Sequence, residues 1–260
     1  MKKWLYLFIA VFVAAGCVCR TASPVLAMQV CISGRVPYEY VTESGYAGVS
    51  MEIFAEIHQR MGEEELCLSQ VPWNRGLRSV EEGLCEVLLS GVWDEEREKR
   101  WSFPKQPIGS IAWQFFAREP GVALKGSWGG VRGFSYPSAL YLQVEGLRRD
   151  VDAPTQESLV EKLINGRTDL VAIELGSAQI LAKELGVTLY PVGKRIYVPL
   201  FAFFNKNVPQ SVIDHFDEVT SRLWDEGFIA RVYEKYGLIR PHLASRDILI
   251  MDEEYPPVTP

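Results

Sequence analysis

The sequence predicts an α/β protein of two lobes, each an open, mostly parallel sheet flanked by helices, with the chain crossing twice between them. Three observations lead there. Strand-length apolar runs alternate with helical periodicity from residue 28 onward. The same alternation starts again after Phe116, without the close repetition of a solenoid. Two extended apolar runs, 111–117 and 198–204, flank this second series, as expected where a chain leaves one lobe and returns.

Taken in order, residues 28–33 read as a first strand, stopped by Gly34-Arg35-Val36-Pro37-Tyr38. Gly45 and Gly48 turn the chain, and Val49, Ile53, Phe54 and Ile57 then recur at helical spacing until Gly62. Residues 66–71 form a second strand that runs into Trp73. Leu77 and Val80 mark a helix that breaks at Gly83, residues 87–89 a short buried strand, and Ser90-Gly91 its stop before the charged run 94–100. A strand order of 2-1-3 sets the first and third exits side by side, bringing Tyr38 near Ser90 and Gly91, with Trp73 as a wall.

In the second series, residues 130–132 look like a strand end, followed by Gly133, Phe134 and Ser135. Ser135 is a natural helix N-cap with Pro137 just inside. Residues 151–153 form a short strand, Thr155 caps a helix carrying Leu159, Leu163 and Ile164, and Gly166 ends it before a third strand, 170–173, whose exit holds Glu174. After the return come a helix with Ile213, Phe216, Val219, Leu223 and Trp224 and another with Ile229, Val232, Tyr233 and Tyr236. The acidic, proline-rich end, 252–260, is expected to be poorly ordered or draped over the surface.

The N-terminus has Lys2 and Lys3, an apolar run from 4 to 18 too short for a membrane span, and Val25 and Ala27 before a cut, so residues 1–27 read as a secretory signal. Cleavage after Ala27 and lipidation of Cys17 both stay open, the first favoured because the box Ala14-Ala15-Gly16-Cys17 lacks its large aliphatic residue. Removing those residues takes away three bases and no acid, so the net charge moves from −6 to −9. Such a surface argues against nucleic acid. Cys31, Cys67 and Cys85 lie in or beside apolar runs and are expected to pack as small hydrophobes, although one pair has the chemistry to close in an oxidising compartment. No clustered cysteines and histidines suggest a metal, and no cofactor is implied.

Trp73 at a strand exit, a helix ending in Gly83, Glu86 opening the next strand, then Arg97 and Phe103 follow one known order. In these residues the chain resembles the extracytoplasmic solute-binding proteins of the polar amino-acid ABC importer type, the type II periplasmic binding proteins, and nearly all of the mature chain can be laid on that pattern. The segment 227–238 looks like that family's closing helix. The resemblance implies a monomeric periplasmic receptor that captures a small polar solute, an amino acid or related small carboxylate, and delivers it to an ABC permease. Lobe 1 would comprise 28–113 and 201–245, lobe 2 with the crossings 114–200, and the tail 246–260.

It further implies that Arg97, whose planar fork matches a carboxylate, holds the solute's α-carboxylate, although spacing alone suits a solvated charge run. Glu174 would take the ammonium group. The family usually has aspartate there, and glutamate changes the reach by a methylene. Gly133, Phe134 and Ser135 would present helix N–H groups to an anion, and Tyr38, Trp73 and Phe134 form aromatic walls. Arg75 and Arg132 also lie near strand exits. An enzyme on the same fold, of dehydratase or lyase type, is the alternative, weakened because His58 and His215 fall on helices away from the cleft and, with His242, are the only histidines. A sensing partner of a membrane signalling protein is the third reading.

Overall fold

The computed structural model describes residues 27–43, 45–62, 66–132, 134, 136–241, 246–252 and 254–260. Cys17 with the rest of residues 1–26, Gly133, Ser135 and His242 lie outside them. The first strand, β1 (Met28–Ile32), leads through a hairpin, β2 (Tyr40–Thr42) and β3 (Gly45–Ala47), into α1 (Val49–Arg60), which buries Val49, Ile53, Phe54 and Ile57. Next come β4 (Leu66–Gln70), α2 (Trp73–Glu81), β5 (Val87–Gly91) and α3 (Glu95–Arg100). After β6 (Gly109–Ala117) the alternation restarts with β7 (Ser127–Val131), α4 (Ser138–Gln143), β8 (Arg148–Ala153), α5 (Gln156–Ile164), β9 (Leu170–Glu174) and α6 (Leu175–Leu185). The chain ends in β10 (Tyr190–Phe204), α7 (Gln210–Asp225), α8 (Phe228–Lys235) and β11 (Leu249–Met251).

The strands join in the order β4-β1-β5-β10-β6-β9-β7-β8, with β11 added to β10. Each end of this path is a parallel set: β1 lies between β4 and β5, the order expected for the first series, and β7 lies likewise between β8 and β9. Parallel pairing requires crossover connections, which α1, α2, α4 and α5 supply. The long strands β6 and β10 pair antiparallel between the two sets, so the apolar runs expected as crossings form one central ribbon, longer at both N-terminal ends than the patterning suggested. A side-chain period of two divides the first lobe's core. Val30 and Ile32 of β1 pack with α1, α7 and α8 on one face, while Cys31 packs with Leu88, Trp101, Phe201 and Phe203 on the other. At Gly91 a Cβ would stand 2.1 Å from the Phe203 ring, so only glycine lets β5 and β10 approach here.

Two expectations need correction, and for the tail one of the two expected alternatives holds. Cys31 and Cys85 are disulfide-bonded, and Cys67 is the exposed free thiol. Apolar surroundings had argued for packing alone, but the parallel β1–β5 register brings residue 31 opposite 88, within reach of a cysteine just before β5. The helix after β7 starts at Ser138, with Pro137 at its N-cap rather than inside. The tail is draped and anchored along much of its length. Arg246 donates to Glu98 and to the Phe103 and Pro104 carbonyls, β11 pairs with Arg195–Tyr197, the Tyr255 ring lies 3.4 Å from the Arg195 guanidinium, and Val258 pairs with Leu189. Among the described residues no helix is long and apolar enough to cross a membrane.

Candidate functional site

The exits of β1 and β9 meet. Glu174, the last residue of β9, caps α6 with its own side chain, its carboxylate accepting from the Gly176 and Ser177 amides at 2.8 and 3.1 Å and from Ser177 Oγ at 3.2 Å. The extra methylene of glutamate lets the group fold back onto its helix. From the loop after β1, Tyr38 donates its phenol to Glu174 Oε1 at 2.5 Å. Both residues are buried, and burial first, then the Glu174 charge, holds the Tyr38 hydroxyl well above its ordinary pKa, which keeps it a donor. A Cβ on Gly176 would stand 3.0 Å from Tyr38 Oη, so glycine makes room for this contact.

Behind the contact lies a cavity of about 20 Å³, bordered by Tyr38, Glu174, Ser110, Gln179, Tyr233 and Leu238. Tyr233 of α8 bonds both the amide and the carbonyl of Ser110 on β6, each at 2.9 Å. Ser110 Oγ and Gln179 Oε1 are buried without a partner among the described residues. A second polar group sits on the first lobe's side of Tyr38. The fully buried Glu39 carboxylate accepts from Ser33 Oγ at 2.7 Å and from Ser90 Oγ, while Ser90 also meets Ser50 Oγ at 2.8 Å. Burial raises the Glu39 carboxyl, opposed by the Arg35 charge and by Ser90 and Ser33. Ser90 adopts φ 60°, a left-handed conformation unusual outside glycine, held here by its hydroxyl contacts.

The structure thus brings together Tyr38, Glu174 and, through Glu39, Ser90. Trp73 and Arg97 stand apart as a pair. Trp73 opens α2 and packs edge-on against Phe203, on the face of the sheet opposite Tyr38. Over its ring, at 5.8 Å, lies the Arg97 guanidinium, which donates to the Val92 carbonyl at 2.7 Å and pairs with Asp94 at 3.3 Å. Burial lowers the Arg97 pKa, against the pull of Asp94. Phe134 is exposed, its ring 6.3 Å from Tyr136, while Gly133 and Ser135 are outside the described residues. Of the other arginines near strand exits, Arg75 is exposed and Arg132 bonds the Asp152 carbonyl. Sequence reasoning passed over Arg35, Glu39, Ser110, Gln179 and Tyr233. The available signal was charge inside an aromatic run, in Arg35-Val36-Pro37-Tyr38-Glu39-Tyr40.

A family model, that of the bacterial extracellular solute-binding proteins, family 3, matches residues 28–239. The chain belongs to this family. The draped tail lies beyond the matched stretch of this solute-binding protein. A sequence search of curated proteins finds no match. Among solved structures, the probable amino-acid ABC transporter extracellular-binding protein ytmK from Bacillus subtilis superposes with a TM-score of 0.72 at 17% identity, over 81% of this chain and 97% of that one. A periplasmic His/Glu/Gln/Arg/opine family-binding protein from Silicibacter pomeroyi, in complex with lysine, gives 0.68 at 16% identity, over 84% and 100%. A histidine kinase sensor domain with similarity to periplasmic binding proteins gives 0.64 at 20% identity, over 83% and 98%. At these identities the likeness establishes the fold of this solute-binding protein.

Proposed function

We propose that this protein is an exported receptor that closes two lobes on one small polar solute, an amino acid or related small carboxylate, and hands it to an ABC permease. In this reading residues 1–27 are the leader, the lobes divide at the β6–β10 ribbon, and the mature protein works as a periplasmic monomer. The observation that carries the proposal is the Tyr38–Glu174 bond between the exits of β1 and β9, set against a cavity with unengaged polar atoms. Strand exits in open α/β sheets are where ligands sit. A cavity of about 20 Å³ has room for a water, whereas ligand pockets run to roughly 300 Å³ and above. Entry of a solute therefore requires the two exits to part, with β6 and β10 flexing between them.

Family membership supports the binding role, and the lysine bound by the Silicibacter protein supports the solute class. The engagement of Glu174 argues against catalysis. Its carboxylate meets four donors and is not free to act as a base. A thermal-shift screen against the twenty amino acids and small organic acids tests the receptor. A ligand at a hundredfold excess over its Kd stabilises by about 2.7 kcal/mol, and no shift with any member rejects the solute class. The likeness to a kinase sensor domain favours one second reading, that the bound state is sensed by a signalling protein. Capture of a kinase rather than a permease by the solute-loaded protein separates the two.

A further inference from the structure

The family match ends at residue 239, and the chain beyond it is fastened to both lobes. On the first lobe, Arg246 donates Nη1 to Glu98 of α3 at 2.9 Å and Nη2 to the Phe103 and Pro104 carbonyls at 3.3 and 3.2 Å. Its guanidinium lies 5.3 Å from the centre of the Trp93 ring. Only Asp247 and Ile248 separate Arg246 from β11. That strand lies on β10 at Arg195–Tyr197, where β6 holds the other edge. Leu249, Met251 and Val258 pack against the second lobe's core, which includes Leu189 and Tyr197. Val258 and Leu189 exchange two backbone hydrogen bonds at 2.9 Å, and Asp252 pairs with Lys194 at 3.1 Å. The Tyr255 ring covers Arg195, whose Nε donates to Gln114 at 2.9 Å.

The tail is thus a third crossing between the lobes, added to β6 and β10. Its first anchor is a charge-assisted cluster, its second an apolar and main-chain one, and the backbone from 246 to 249 spans at most about 11 Å. All of these contacts are made together in the structure in which Tyr38 meets Glu174. Turning one lobe against the other moves the partners of Arg246 away from those of β11 and Val258. A contact is then lost at one anchor, or β11 bends with the ribbon, and either costs free energy that the closed arrangement does not. We propose that residues 246–260 form a strap across the hinge that opposes parting of the β1 and β9 exits, and so sets how readily the receptor closes on its solute. This inference rests on the receptor reading above. A closed state already favoured before the solute arrives takes less of the binding energy to reach, so the strap raises affinity.

The test uses the full chain with each anchor cut in turn: Arg246→Ala releases the first and Leu249→Asp the second. Unfolding curves verify the fold, and Met251→Ser is the milder cut should Leu249→Asp fail to fold. Distances between spin labels on α1 and α6, in a Cys67→Ser background, are read without solute. Both cuts are expected to shift the distribution to longer distances than the wild type, with Arg246→Lys, which keeps the charge but not the fork, in between. Calorimetric titration with L-lysine, L-arginine, L-glutamine and small organic acids is expected to show every probe that the wild type binds held about fivefold more weakly by both cut variants. At saturation the distances of variants and wild type coincide. A solute-free distribution that matches the wild type in either cut variant, or that moves to shorter distances, overturns the strap. So does an affinity equal to or tighter than that of the wild type. A wild type that binds none of these probes contradicts the receptor reading instead, and the solute-free distances then decide the strap by themselves.

Discussion

Two sites in the first lobe each pair an arginine with an aromatic ring, and they differ in what the arginine has left to give. At Trp73 and Arg97 the guanidinium is engaged by Val92 and Asp94, and the ring packs into the sheet face shared with Phe203. At Tyr38 and Arg35 the ring reaches across to Glu174 while two guanidinium nitrogens, Nε and Nη2, have no hydrogen-bond partner among the described residues. The same chemistry serves packing in one place and leaves unmet bonding capacity in the other. Unmet capacity, rather than residue type, supports placing the proposed binding site on the Tyr38 side.

The contrast can be broken from the packed side first. The Cys31–Cys85 bond joins residues 54 apart within the Trp73 face, a loop closure that removes about 4 kcal/mol of unfolded-chain entropy. Urea unfolding of the Cys31→Ser, Cys85→Ser double variant should show a loss of this order, with solute affinity intact in the folded fraction. Trp73→Ala leaves a gap beside Phe203 and is expected to cost about 2 kcal/mol in the same assay. Tyr38→Phe removes one donor from a carboxylate that keeps three others, so the expected loss is smaller, about 1 kcal/mol. A loss at Tyr38 larger than at Trp73 would reverse the comparison.

The smallest effect is a slope. Burial raises the folded-state pKa of Glu39 above its unfolded value, so the folded protein holds this proton more tightly. The resulting contribution to stability is present below the unfolded value and lost as pH rises through the raised folded value. Glu39→Gln should therefore gain on the wild type as pH is raised across that window, read as a widening Tm difference. A difference independent of pH would mean that Glu39 ionises in the fold without penalty.

Much of the fold was legible because burial imposes a period. Val49, Ile53, Phe54 and Ile57 announce α1, and the apolar runs around 111–117 and 198–204 announce the central ribbon. The disulfide was hidden because register, set by tertiary pairing, decides which cysteines face each other. At the site, Glu174 was visible as the residue at a strand exit, and Tyr38 as an aromatic after a strand. That they would bond each other was not, since the contact spans 136 positions and depends on how the two ends of the sheet meet. Arg35 and Arg97 look alike in sequence, and only the partners of their nitrogens tell them apart.

The central claim is that the exits of β1 and β9 part to admit a solute and close upon it. Spin labels at Gln59 on α1 and Lys183 on α6, both exposed, report on this directly in a Cys67→Ser background that removes the free thiol. Pulsed dipolar spectroscopy without solute should give a broad distribution reaching long distances. Saturation with the solute that gives the largest thermal shift should collapse it to one short distance. An identical distribution in both conditions, with binding verified in the same sample, would contradict the account.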